Sequence, residues 1–400
     1  MGCRLVASSA CFLLLFISIS AATAPAPPPP LKVFNVQTFG AVADGKTDNA
    51  KAFLAAWSAA CACKERCRVL IPRGRFLVDP LNFTGPCNGS VQVKLKGTVL
   101  APADLGVFPV TRIVWIAFNY IDGLLVTGGG TFDGQGASAW ACARNTNCRR
   151  RPKSVCFNFV NNSHIQRISS VNSKQFHFLL ISCQNITMKD LKITAPGKSP
   201  NTDGVHLAAC SNVKISRSII GTGDDCISIG HGNRNVSISG ISCGPGHGIS
   251  VGSLGLYPDD KDVLDVRVRN CSFKDTDNGV RIKTWPASYA LSASNFKFEN
   301  IVMKNVTNPI IIDQEYCDRS TCNRQSPSRV KISHVKFKNI TGTTASKIAI
   351  NLLCSELVPC EDVELNDIDL VYNMKGQKAI SSCSHVKGKS IGHVIPPSCI

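Results

Sequence analysis

The sequence predicts an all-β, single-domain right-handed parallel β-helix with an N-terminal capping helix. Three observations carry this. First, a short unit recurs: Asn or a neighbouring polar residue, followed by apolar-x-apolar alternation. It reads at Asn185–Met188, Asn212–Ile215, Asn235–Ile238, Asp265–Val268, Asn295–Phe298 and Arg329–Ile332, with a weaker copy at Asp362–Leu365 and an earlier relative at His164–Ile168. Second, the first apolar positions of these units, 165, 186, 213, 236, 266, 296, 330 and 363, lie 21, 27, 23, 30, 30, 34 and 33 residues apart. Alternation over four to six residues marks strands, and self-similarity at such a period marks a solenoid. Third, the units are rich in Val, Ile, Thr and Phe and too short for paired helices, and no Leu-x-x-Leu-x-Leu frame is present. A β-sandwich would show turn signals every eight to twelve residues rather than this longer repeat. Rungs stacked about 4.8 Å apart bring equivalent residues into ladders.

The elements follow in chain order. Residues 1–24 read as a signal peptide: Arg4 gives a basic start, Phe12–Ile17 is the apolar peak, and Ala21–Ala24 is a small-residue cleavage region. Residues 25–34 form a Pro-rich stub expected to stay extended outside the fold. The β-helix then occupies 35–400. Its exposed N-terminal edge needs a cover. Asp48 to Cys61 supplies one, with Thr47 or Asp48 as N-cap and Phe53, Leu54, Trp57, Ala60 and Cys61 on the inner face. At the other end, Cys383 and Cys399 are placed to pin a non-repetitive tail.

Composition bounds the setting. Eighteen of the twenty cysteines follow the leader, scattered without paired C-x-x-C clusters, which points to disulfides and an oxidising compartment rather than zinc. Eight N-x-Ser/Thr sequons, at Asn82, Asn88, Asn161, Asn185, Asn235, Asn270, Asn305 and Asn339, agree with export. The net charge of +17 calls for an anionic partner. Aromatic residues make up only 7% of the chain and no nucleic-acid module appears, so an acidic polysaccharide fits better than nucleic acid. The mature chain is expected outside the cell as a monomer without membrane attachment.

Four segments stand out in the middle rungs: Asn201–His206, Gly223–Cys226, Gly246–Ser250 and Arg281–Lys283. Asp203, Asp225 and His247 are each 22 residues apart, one rung in sequence and therefore stacked in space. Arg281 and Lys283 share one strand face, with Ile282 turned inward. Asp224 and Asp225 both reach the groove only if a bend, permitted by Gly223, carries them. Three clustered acids cannot all ionise, so one is expected to keep a proton and donate it to a leaving oxygen while another activates water, the requirement of glycoside hydrolysis. Arg281 with Lys283 suits a sugar that carries a carboxylate. Taken singly, these segments are ordinary turns and strand faces, and paired acids also bind calcium. Their common spacing is the signal.

In this order the four segments resemble the signature of the polygalacturonase family of glycoside hydrolases, and the likeness runs from Phe39-Gly40-Ala41 to the C-terminal cysteines. The stretch Cys243–Gly255 is highly specific, and Asn278–Trp285 points to plant members, most similar to pollen-type exopolygalacturonases. The resemblance implies Asp224 as general acid, Asp203 and Asp225 holding and activating the water, and His247 assisting. It implies that Asn201, Arg281, Lys283 and Tyr316 contact substrate, that configuration inverts and that no metal or other cofactor is used. It also implies disulfides Cys226–Cys243, Cys354–Cys360 and Cys383–Cys399. The substrate would be polygalacturonate, or pectin, in the cell wall. Loops at Gly136 to Lys153, with basic residues Arg149 to Arg151, and at Asp313 to Arg329 are candidates to block one groove end and make cleavage exo. The competing readings are an endo-acting enzyme, a hydrolase of rhamnogalacturonan or xylogalacturonan, a calcium-dependent lyase, and a non-catalytic wall-binding or allergenic protein.

Overall fold

The computed structural model describes residues 1–3, 5, 31–109, 111, 113–143, 150–318, 322–323 and 326–400. Nearly all of the expected signal peptide, Pro25 to Pro30, Arg149 and parts of the two candidate wall loops lie outside the described residues. No described helix is long and apolar enough to cross a membrane.

Among the described residues, thirty strands form two sheets, one of nineteen strands and one of eleven. Pairing is parallel and largely in register: Val205 lies on Ile227, Ile227 on Ile249, and Ile249 on Val280. This is the expected parallel β-helix. The inner column Ile186, Val213, Val236, Val266, Phe296, Val335 and Val363 runs down the core with every member buried. Aromatic residues also stack rung on rung, Phe118 on Phe157 and Phe298 on Phe337, each at 5.2 Å between ring centroids.

That column corrects two repeat assignments. The residue equivalent to Ile186 is Ser163, since Ile165 pairs with Met188. The residue equivalent to Phe296 is Val335, since Val330 pairs with Leu291. Apolar alternation fixes which face a residue takes but not its place along the strand. Asn recurs because a corner of each rung needs positive φ, which Asn and Asp tolerate best. Asn185, Asn212, Asn235, Asp265, Asn295, His334 and Asp362 all occupy it, with φ between 52° and 61°. His334 stands where the pattern sought Asn, and this hid the true repeat. Side-chain amides join the corners: Asn185 Nδ2 donates to Asn162 Oδ1 at 2.8 Å, and Asn235 Nδ2 to Asn212 Oδ1 at 2.7 Å.

The cap and both termini differ in detail from expectation. The capping helix is Ala50–Cys61, with Asn49 rather than Thr47 or Asp48 at the N-cap. Asn49 is buried and bonds with its side chain to Val42, Thr47 and Leu77 backbone groups, which holds the entering loop. Asp48 still receives the Ala50 amide at 3.0 Å. Ala52 and Ala56 complete the buried face with Phe53, Trp57 and Ala60, whereas Leu54 points to solvent. Leu31–Asn35 is a strand paired with Arg66–Leu70, so the last residues assigned to the Pro-rich stub belong to the fold. The C-terminal segment is not a non-repetitive tail either. Val386–Ile395 pairs with the preceding rung, and Cys383–Cys399 closes it.

The three implied disulfides are present, together with Cys61–Cys87, Cys63–Cys67 and Cys317–Cys322, and Cys142 is also disulfide-bonded. Cys156, Cys183, Cys210 and Cys271 are instead free and buried as small core residues. Cys226–Cys243 spans 17 residues and ties two rungs beside Asp225. Replacing both by Ala should cost about 3 kcal/mol by loop entropy and lower Tm by several degrees. A calorimetric scan with unchanged Tm would show that rung stacking alone holds this region.

Candidate active site

The site lies on the outer face of the eleven-stranded sheet, where the strands Val205–Ala208, Ile227–Ile229, Ile249–Leu254 and Asn278–Thr284 follow one another. Asp203 precedes the first of these strands, Asp224 and Asp225 precede the second, and His247 precedes the third. Gly223 allows the bend because any Cβ there would sit 2.1 Å from the Ser199 carbonyl oxygen. Gly248 serves the next rung, with φ of +86° and the Asn278 carbonyl 2.2 Å from a Cβ. Asp224 and Asp225 consequently diverge but remain at one site.

Asp225 is enclosed. Its Oδ2 meets Lys283 Nζ at 2.8 Å, and its Oδ1 accepts from Ser250 Oγ at 2.7 Å and from Arg281 Nη2 at 3.4 Å. Arg281 and Lys283 do share one face while Ile282 is buried in the core. Both cations are turned onto Asp225. Tyr316 supports them from outside, its ring 5.5 Å from the Arg281 guanidinium and 5.1 Å from Lys283 Nζ. Burial pushes the Tyr316 phenol up to about 12, so it stays protonated and neutral.

Asp224 faces the groove. Its Oδ1 lies 3.1 Å from His247 Nδ1, and its Oδ2 accepts from Asn201 Nδ2 at 3.5 Å. The other ring nitrogen of His247 lies 3.3 Å from Asp277. Burial favours a protonated Asp224, but the hydrogen bond and charge of His247, with Lys283, outweigh it and hold the carboxyl below its usual value. The same bond raises His247 above 6.5 against its own burial. His247 thus stacks in sequence with Asp225 but reaches Asp224.

Asp203 is the acid whose pKa is raised. Burial first, and then the neighbouring charges of Asp224 and Asp225, raise it well above the usual range, while the 2.6 Å bond from Ser228 opposes this. The three carboxyls thus shift in different directions, Asp203 up and Asp224 down. Their exposure differs too. The Asp224 side chain is 17% exposed, against 1% for that of Asp225 and 5% for the whole of Asp203. Asp224 is thus the most exposed of the three carboxyls.

One donor atom from each of Asp224, Asp225 and His247 lies within 4.8 Å of the others, a spacing that metal ligands adopt. Here Lys283 and Arg281 supply the positive charge against Asp225, and His247 Nδ1 already faces Asp224.

Sequence reasoning overlooked a second column, His206, Ser228, Ser250 and Arg281, which are paired in register. His206, Ser228 and Ser250 are also 22 residues apart, so the signal was present. Ser228 and Ser250 each donate to a catalytic-site carboxylate, and His206 Nδ1 lies 2.7 Å from Ser228 Oγ. Burial, then the charge of Lys283, lowers His206 to about 4, which keeps it neutral.

A family profile described as Glycosyl hydrolases family 28 matches residues 61–393. An exopolygalacturonase of Zea mays is 42% identical over 370 residues, covering 92% of this chain and 90% of that protein. An exopolygalacturonase of Platanus acerifolia is 44% identical over 368 residues, covering 91% and 97%. Among solved structures, endo-xylogalacturonan hydrolase from Aspergillus tubingensis shares the fold with a TM-score of 0.77 at 20% identity, over 91% of this chain and 100% of that one. The chain is a member of glycosyl hydrolases family 28.

Proposed function

We propose that this chain is a secreted exopolygalacturonase that hydrolyses α-1,4-galacturonosyl linkages of polygalacturonate in the cell wall with inversion, releasing galacturonate from chain ends. The observation that carries the chemistry is the separation of the acids: an open Asp224 beside His247, and an enclosed Asp225 ion-paired to Lys283. The names of the Zea mays and Platanus acerifolia relatives supply the substrate and the exo mode.

In this mechanism Asp224 protonates the leaving glycosidic oxygen. Asp225 takes the proton of the attacking water, and buried Asp203 holds that water by hydrogen bonding. Asp224 must first gain a proton. Its value is depressed in the free site by His247, but a bound uronate excludes water and adds negative charge beside it, and both effects raise a carboxyl. Substrate thus converts the exposed acid into its donor form. The cations that enclose Asp225 lie at the groove floor, where Arg281 and Tyr316 offer edges to the sugar on the leaving-group side.

Three outcomes test this reading. Incubation with polygalacturonate should release monogalacturonate from the start with little loss of viscosity. Rapid early viscosity loss with mixed oligomers would remove the exo assignment and leave the hydrolase. Asp224→Asn keeps the shape but cannot donate a proton, so turnover should fall by at least ~10² with Tm unchanged. Near wild-type turnover would move the acid role elsewhere.

The pH profile gives the third. Activity needs Asp225 ionised and Asp224 protonated, so it should be bell-shaped with an optimum of about pH 4–6. Because bound uronate raises Asp224, the alkaline limb of kcat, which reports the complex, should lie at higher pH than that of kcat/KM, which reports the free enzyme. Coincident limbs would refute substrate-driven protonation.

A further inference from the structure

The two cations on one side of the acids are committed to Asp225. On the opposite side, towards the N-terminus, stands another. Arg151 lies two residues before the strand Lys153–Asn158, which is two rungs before the strand that follows Asp203. Its guanidinium donates to the Pro200 carbonyl, to the Lys174 carbonyl at 3.4 Å and to Asn201 Oδ1 at 2.7 Å. These partners are neutral oxygens, so its charge is not cancelled by a carboxylate among the described residues. Arginine carries five N–H groups and these bonds use three. The half-buried head lies within the field of Asp224, whose charge partly offsets the effect of burial.

Arg151 also fixes Asn201. A guanidinium cannot accept a hydrogen bond, so the amide must present Oδ1 to Arg151 and Nδ2 to Asp224. The Phe176 ring lies flat on His206, with centroids 4.8 Å apart and planes 21° apart, and Lys153 Nζ stands 5.8 Å from the Phe176 centroid. Beyond this stack the outward column of the sheet is Leu179, Cys156 and Ala117, which offers no charge to an anionic polymer.

We propose that Arg151 is the specificity-determining residue of a terminal-uronate subsite on the N-terminal side of Asp224. Its two remaining N–H groups take the carboxylate of the chain-end sugar, and Phe176 stacked on His206 forms the wall that stops a longer chain. This rests on the polygalacturonate reading and extends it to the sugar released.

The experiment is calorimetric titration of the full mature chain with galacturonate and, separately, with galactose, which lacks the carboxylate. Wild type should bind galacturonate at least roughly tenfold more tightly, as a charge-assisted pair would give. Arg151→Gln should abolish most of that preference and leave galactose binding in place, whereas Arg151→Lys should keep part of it. A merely structural role would weaken both sugars alike. If Arg151→Gln does not fold, Arg151→Lys decides, because it retains the charge and loses the fork. Absence of a preference in wild type, or a preference unchanged in the folded variants, overturns the proposal. The two readings fail separately. Hydrolysis of polygalacturonate with Arg151-independent galacturonate binding removes only the subsite. Arg151-dependent galacturonate binding without hydrolysis removes only the enzyme.

Discussion

Parallel, in-register pairing of the eleven-stranded sheet is the constraint on which everything else rests. Its hydrogen bonds run along the axis, so a residue's spatial neighbours are one rung away in sequence. The rungs through Val205, Ile227 and Ile249 are 22 residues each and carry no insertions. An added residue between them would rotate Asp225 away from Asp203 or His247 away from Asp224. Longer rungs begin after His247: Ser250 pairs with Arg281, 31 residues on. Loop growth is tolerated there because the cations reach back by side chain and do not depend on rung length.

Burial then divides labour among chemically identical groups. Asp225 is sealed by two cations and a hydroxyl, Asp203 lies behind Ser228, and Asp224 is left at the surface. In a low-dielectric cluster the net charge decides how many protons remain, whereas exposure decides which carboxyl can give one away. Here the carboxyl whose pKa is raised, Asp203, and the most exposed carboxyl, Asp224, are different residues.

The sequence made the rung period and the stacked acids legible because both depend on spacing alone. Asp203, Asp225 and His247 fell out of a repeated 22-residue step, and His206, Ser228 and Ser250 would have followed from the same step. Contacts that depend on side-chain reach were hidden. Lys283 meets Asp225 across 58 residues, and Arg151 meets Asn201 across 50. No periodicity connects either pair. The slips at positions 165 and 330 have another cause: the first is two places along an alternating strand, the second falls five places before the true position, and in both only the corner residue marks the register.

That corner also changes how the sequons weigh. Asn185, Asn235, Asn270, Asn305 and Asn339 have positive φ at rung corners, and the Ser or Thr two residues later lies in the strand or turn that follows. Backbone geometry alone generates these triplets. In four of them Nδ2, the atom a glycan would occupy, already donates to the neighbouring rung. Cysteine burial does not sort the bonded from the free. Cys226, Cys243 and Cys360 are buried and bonded, whereas Cys156, Cys183, Cys210 and Cys271 are buried and free, with Cys183 N 3.4 Å from Cys210 Sγ. The sequon count therefore carries less weight for export than its number suggests, because the corner that favours Asn recurs from rung to rung.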